Sequence, residues 1–118
     1  MARLKLTVIL DSGARIGPGK VQLLECIRDT GSISAAARDM GMSYKRAWLL
    51  IDSINQAFEA PAVVAATGGR RGGGAHLTVF GLALLAGYRD LLARVQAESA
   101  EDLSAIEAAA RPHAGPKV

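Results

Sequence analysis

Ser43-Tyr44-Lys45-Arg46 is a run of side chains suited to binding rather than to breaking bonds. Placed at the start of a helix, Ser43 and the free N–H groups there can hold a phosphate. Tyr44 offers a hydroxyl and a flat face, suited to a phosphate or a thymine methyl. Lys45 and Arg46 reach guanine edges or phosphates, the arginine bidentately. Trp48 lies one turn after Tyr44 on the same side, and two roles stay open for it: packing at the core edge or touching a nucleic-acid backbone. A second chemical segment follows at Ala66-Thr67-Gly68-Gly69-Arg70-Arg71-Gly72-Gly73-Gly74-Ala75. Its glycines remove side chains that would block a narrow groove, and Arg70 and Arg71 carry charge that a minor groove or flanking phosphates attract. Alone, such a loop reads as a solvated tip. After a helix-turn-helix it reads as a wing.

Other chemistries fit less well. The glycine loop lacks the Lys-Ser or Lys-Thr that closes a nucleotide-binding GxxxxGK[ST] pattern, and a long helix does not follow at once. His76 sits where the loop exits and His113 near the C-terminus, so neither belongs to a Ser/His/Asp set or to metal-ligand spacing. The lone Cys26 allows no intrachain disulfide and no cysteine-cluster zinc site. Its apolar helical surroundings point to a buried, inert thiol. Neither catalysis nor a cofactor is expected.

The elements that must position these groups follow from periodicity. Leu4, Leu6, Val8 and Leu10 alternate with Lys5, Thr7 and Ile9, which predicts a strand with one buried face. Asp11-Ser12-Gly13 is a turn, and Ala14-Arg15-Ile16 returns as a second short strand. Pro18 opens a helix through Val21, Leu24 and Ile27, and Gly31 ends it. Ser34 is expected to cap the next helix, Ala35 to Met40, and to join the residues facing a duplex. Gly41 supplies a left-handed turn, and Ser43 caps the third helix. There Ala47, Leu50, Ile51, Ile54 and Phe58 form one apolar stripe, and the helix is over by Pro61. Val63 to Thr67 and His76 to Val79 are read as the strands of the hairpin. From Gly81 a long alanine-rich helical segment carries Leu82, Leu85, Leu92, Val95, Leu103 and Ile106. Its stripe exceeds what so small a core can bury, so pairing with a second copy is expected.

Composition agrees. The chain has 118 residues, half of them hydrophobic, with aromatics only at Tyr44, Trp48, Phe58, Phe80 and Tyr88. The formal net charge is +3. Its distribution matters more. Between Met40 and Phe80 the charges are Lys45, Arg46, Arg70 and Arg71 against Asp52 and Glu59. Between Val95 and Ala110 they are Glu98, Glu101, Asp102 and Glu107, all acidic. A basic middle suits a polyanion, and an acidic end should point away from it. No signal peptide pattern and no apolar run of about 20 residues occurs, so a cytoplasmic protein without a membrane partner is expected.

GSISAAARDMGMSYKRAW, Asn55 after it, and ATGGRRGGGAHLT together resemble the N-terminal DNA-binding domain of ModE-type molybdate-responsive transcriptional regulators. A looser similarity extends to LysR-type regulators, whose winged domain begins with a related Gly-Ser pattern. The resemblance implies a homodimer held by long helices, with a winged helix from each subunit on a near-palindromic site. It implies recognition-helix contacts at Ser43, Tyr44, Lys45 and Arg46, and wing contacts at Arg70 and Arg71. Regulators of this type carry molybdate-binding β-barrels after the last helix. No strand-rich region follows here, so no molybdate site is expected in these residues.

The expected architecture is mainly α with a small β-hairpin wing: a winged helix-turn-helix over residues 1–80, a dimerisation helix over 81–110 and a disordered tail over 111–118. The expected function is sequence-specific binding of double-stranded DNA in transcription regulation, without catalysis. The rival readings are a winged-helix module that docks on another protein, a nonspecific DNA binder, and a small oxyanion-binding protein using the glycine loop as a nest.

Overall fold

The computed structural model of the protein describes residues 1–65 and 74–112. In chain order the elements are β1 (Val8–Ile9), β2 (Arg15–Ile16), α1 (Pro18–Thr30), α2 (Ile33–Asp39), α3 (Tyr44–Ala57), β3 (Val63–Ala65), β4 (Ala75–Leu77), α4 (Val79–Glu98) and α5 (Ala100–Ala108). Three helices, a small antiparallel hairpin and a further pair of helices make a winged helix-turn-helix architecture. Arg70, Arg71 and His113 lie outside the described residues.

Burial alternates along residues 1–10 as the sequence requires, although only Val8 and Ile9 pair, opposite Ile16 and Arg15. Leu6 and Val8 pack on the core from one face. Pro18 is the first residue of α1, where a missing N–H breaks no helical bond. The helix buries Val21, Leu23, Leu24 and Ile27 and ends at Gly31, whose N–H donates to Ile27 O at 2.8 Å. Arg28 is exposed on its far side. Cys26 is only half-buried, not fully enclosed.

The start of α2 departs from the expected cap. Ser32, not Ser34, is the N-cap: its Oγ accepts from the Ala35 N–H at 3.1 Å. The reason is Ile33, which is fully buried and must enter the helix as its first residue to reach the core. The α2–α3 turn then closes around Gly41. Its N–H bonds to Arg38 O at 3.1 Å, and the Met42 N–H bonds to Ala37 O at 2.9 Å. This paired closure needs a left-handed residue after the helix, and Gly41 has φ +66°. Ser43 caps α3 as expected, its Oγ accepting from the Arg46 N–H at 3.1 Å. Of the α3 stripe, Ala47, Ile51 and Ile54 are buried and Leu50 is partly so. Phe58 already stands beyond the helix and packs on Phe80, ring centres 5.1 Å apart.

In the hairpin Val63 faces Leu77, Val64 faces His76 and Ala65 faces Ala75. A short bridge between Ser32 and Gly74, with the Ala75 N–H donating to Gly31 O at 3.1 Å, joins the α1–α2 connection to the free edge of β4. The helix-turn-helix and the hairpin therefore share backbone bonds. Thr78 caps α4, accepting from the Gly81 N–H at 3.0 Å, so this helix begins two residues earlier than its apolar pattern suggests. The C-terminal helical segment is interrupted at Ser99. Its hydroxyl donates to Val95 O at 2.6 Å, a bond back into the helix of the kind that bends it. Among the described residues, no helix is long and apolar enough to cross a membrane.

Candidate nucleic-acid interface

The first turn of α3 presents its side chains in three directions around a buried stem. Ala47, Ile51 and Ile54 hold the helix on α1 and α2. Tyr44 and Trp48 lie on one flank as an edge-to-face pair, centroids 6.3 Å apart at 73°. Trp48 is half-buried and packs on the core edge, while Tyr44 is 45% exposed. The aromatic contact braces the tyrosine without covering it. Arg46 turns to the other flank, where it lines a groove with Leu50. Lys45 is exposed, and Leu49, one turn further on, is 59% exposed. An apolar side chain that projects into water beside a lysine suits a partner with both charge and methyl groups, as the major-groove face of a duplex has. Leu49 was not singled out from the sequence. Its absence from the apolar stripe of α3 was the available signal.

Backbone donors reinforce the charge. No acidic residue occupies the first turn of α3, so nothing in that turn offsets the positive end of the helix dipole. Ser43 Oγ is occupied as an acceptor, which leaves its proton for a phosphate oxygen. Among the described residues Lys45 and Arg46 form no salt bridge. Other arginines do. Arg28 bonds Asp29 at 2.9 Å, which holds the Asp29 carboxyl below its ordinary range and raises the guanidinium. Arg89 takes Glu25 through two guanidinium nitrogens, one at 2.9 Å, and is likewise raised by that bond. These two arginines are engaged within the fold, Arg89 linking α4 to α1.

Ser34 is half-buried on α2, one residue into the helix rather than at its cap. His76 is exposed on β4. The Cys26 thiol is pushed up by burial first and then by Asp39, Asp29 and Glu25, an environment opposite to that of a reactive thiolate. Among the described residues no group of three or more His, Cys, Asp or Glu side chains could hold a metal ion.

The connection from α3 to the hairpin runs through Asn55. Its Oδ1 accepts from the N–H groups of Ala62 at 2.8 Å and Val63 at 3.2 Å, and its Nδ2 donates to Val63 O at 2.9 Å. The Asn55 side chain thus ties α3 to the base of the hairpin, in addition to the backbone bonds between the α1–α2 connection and β4.

Comparison with known proteins finds relatives of the type that residues 31 to 80 resemble. No family model matches the chain. Over 103 residues, 87% of its length, it is 44% identical to the DNA-binding transcriptional dual regulator ModE of Escherichia coli strain K12, covering 39% of that protein. Over 101 residues, 85% of its length, it is 48% identical to the molybdenum-pterin-binding protein MopB of Rhodobacter capsulatus, covering 36%. Over 102 residues it is 40% identical to the molybdenum transport protein ModE of Azotobacter vinelandii, again covering 36%. The chain spans little more than a third of the length of these relatives.

Proposed function

We propose that this chain, ModE-type in sequence over most of its length, binds double-stranded DNA sequence-specifically and acts in transcription regulation. The observation that carries the reading is the capped start of α3, where Tyr44, Lys45 and Arg46 project from a fully packed stem with no carboxylate partner among the described residues. In a helix-turn-helix that end of the second helix enters the major groove. Ser34, Ser43 and Trp48 belong to the same proposed surface as backbone contacts. Arg70 and Arg71 enter from the sequence alone, as wing contacts to the flanking minor groove or its phosphates. The reading implies a cytoplasmic regulator without enzymatic activity. What the relatives' names say of molybdenum stays with those proteins.

The proposed unit of binding is a homodimer. Helix α5 buries no residue within its own chain, and Leu82 and Ile106 are exposed. Residues 1–80 would form the DNA-binding unit and 81–110 the dimer contact. Two-fold symmetry would then set the recognition helices about 34 Å apart or a multiple of it.

The test is selection of bound fragments from genomic DNA under competition at about 150 mM salt, where weak electrostatic binding fades. One inverted-repeat motif is the expected result. Recovery of no motif would overturn the reading in favour of a nonspecific binder or a protein-docking module. Sedimentation of the free protein tests the dimer separately, and a monomer at all concentrations would remove it.

A further inference from the structure

We infer that a second surface, a groove on the Arg46 flank of α3, seats the sugar–phosphate backbone of the duplex beside the bases that α3 reads. This rests on the DNA-binding reading and names residues outside the helix-turn-helix and wing. The groove is open, about 410 Å³, and its rim carries Arg15 from β2, Lys20 from the first turn of α1 and Arg46 from α3. Thr7 and Leu50 also line it. No acidic residue lines it, and none of the three cations forms a salt bridge among the described residues.

Lys20 is held in place rather than waving in solvent. Its Nζ donates to Arg15 O at 2.7 Å and to Ser53 Oγ at 3.0 Å, which ties the first residue of β2 and the start of α1 to α3. An ammonium has three protons, so one remains for a phosphate oxygen. The start of α1 adds to the field. Gly17 caps it without a side-chain bond, and no acidic residue occupies its first turn, so the positive end of the dipole is not neutralised there.

A second groove, about 450 Å³, helps decide which side a polyanion takes. It is lined by Leu49 and Gln56 of α3, carries Asp52 and has no cation. A phosphate strand is repelled there and attracted on the Arg15 side. Contacts of this kind position a duplex without reading its sequence.

The experiment measures the salt dependence of binding to a mixed-sequence duplex, and the motif selected from genomic fragments, for wild type, Arg15→Glu, Lys20→Gln and Arg46→Ala. The exposed Arg15 side chain makes no hydrogen bond among the described residues, so Arg15→Glu leaves the fold intact. Lys20→Gln is checked by circular dichroism. The expected result for Arg15→Glu is a salt slope shallower by about 1 to 2, the loss of one or two phosphate contacts, with the selected motif unchanged. Lys20→Gln should shift the slope by about 1. Wild-type slopes in both variants, with Arg46→Ala still impaired, would overturn the groove while the DNA-binding reading stands. An altered motif in Arg15→Glu would overturn it too, since that marks a base contact. Failure of wild type to bind duplex DNA would overturn both.

Discussion

Asn55 on α3 and Val63 on β3 are bonded in both directions: Nδ2 donates to Val63 O at 2.9 Å and Oδ1 accepts from the Val63 N–H at 3.2 Å. The same Oδ1 takes the Ala62 N–H at 2.8 Å, and both Ala62 and Val63 are buried. Buried backbone groups without partners are destabilising, so this one carboxamide completes the bonding at the base of the wing. Asn55→Ala should lower stability by about 3 kcal/mol, from groups left unsatisfied at about 1–3 kcal/mol each. Asn55→Asp keeps the acceptor and should lose less. Urea denaturation measures both, and an alanine variant within about 0.5 kcal/mol of wild type would show that water satisfies these groups.

Gly81 and Gly87 should respond to alanine with opposite signs. A Cβ on Gly81 would stand 2.1 Å from the carbonyl oxygen of Ala62, a backbone atom with little room to move. Helix propensity alone favours alanine over glycine by about 1 kcal/mol. The overlap outweighs it, and Gly81→Ala should destabilise by about 1–3 kcal/mol net. Gly87 lies in the same helix with nothing within 4 Å of its added Cβ. Gly87→Ala should therefore stabilise by up to about 1 kcal/mol. Thermal melts of the pair decide it, and a stabilised Gly81→Ala would mean that α4 shifts freely on the hairpin.

Arg46→Ala and Leu49→Ala test the face of α3. Both side chains are exposed, so neither change should move stability by more than about 0.5 kcal/mol. Arg46→Ala should weaken duplex binding by about 1–3 kcal/mol. Leu49→Ala should alter the selected motif at one position while leaving the salt slope alone, because it carries no charge. Wild-type affinity in Arg46→Ala would move the recognition surface elsewhere.

Glu25 and Arg89 join α1 to α4 through a two-pronged bond, yet the arginine side chain is 45% exposed. Solvent screening limits such a pair to under about 1 kcal/mol. A double-mutant cycle with Glu25→Gln and Arg89→Gln should give a coupling in that range that shrinks as salt rises. A coupling of several kcal/mol would mean that the pair is shielded, as it would be under a second subunit.

Much of the helix-turn-helix was legible in the sequence because it rests on local chemistry. Gly41 had to make the left-handed turn, Ser43 had to cap α3, and the spacing of Ala47, Ile51 and Ile54 had to face inward. The cap of α2 was misread by two residues. Ser32 and Ser34 are equal as caps, and only burial of Ile33 between them selects the first. The interruption at Ser99 was also hidden, because alanine-rich sequence on both sides continues the helical pattern without a glycine or proline.

The sequence by itself determined the three helices up to α3, the turn between α2 and α3, the position of the basic residues on α3 and the resemblance to ModE-type regulators. Each of these depends on residues within a turn or two of one another, where propensity, capping and periodicity act directly. Tertiary structure alone decided which distant groups meet. It brought Arg15 and Lys20 beside Arg46, placed the Tyr88 hydroxyl 2.5 Å from Leu6 O, and set Asn55 against the wing base. Such meetings depend on how buried faces pack against each other, and no short-range pattern encodes that geometry.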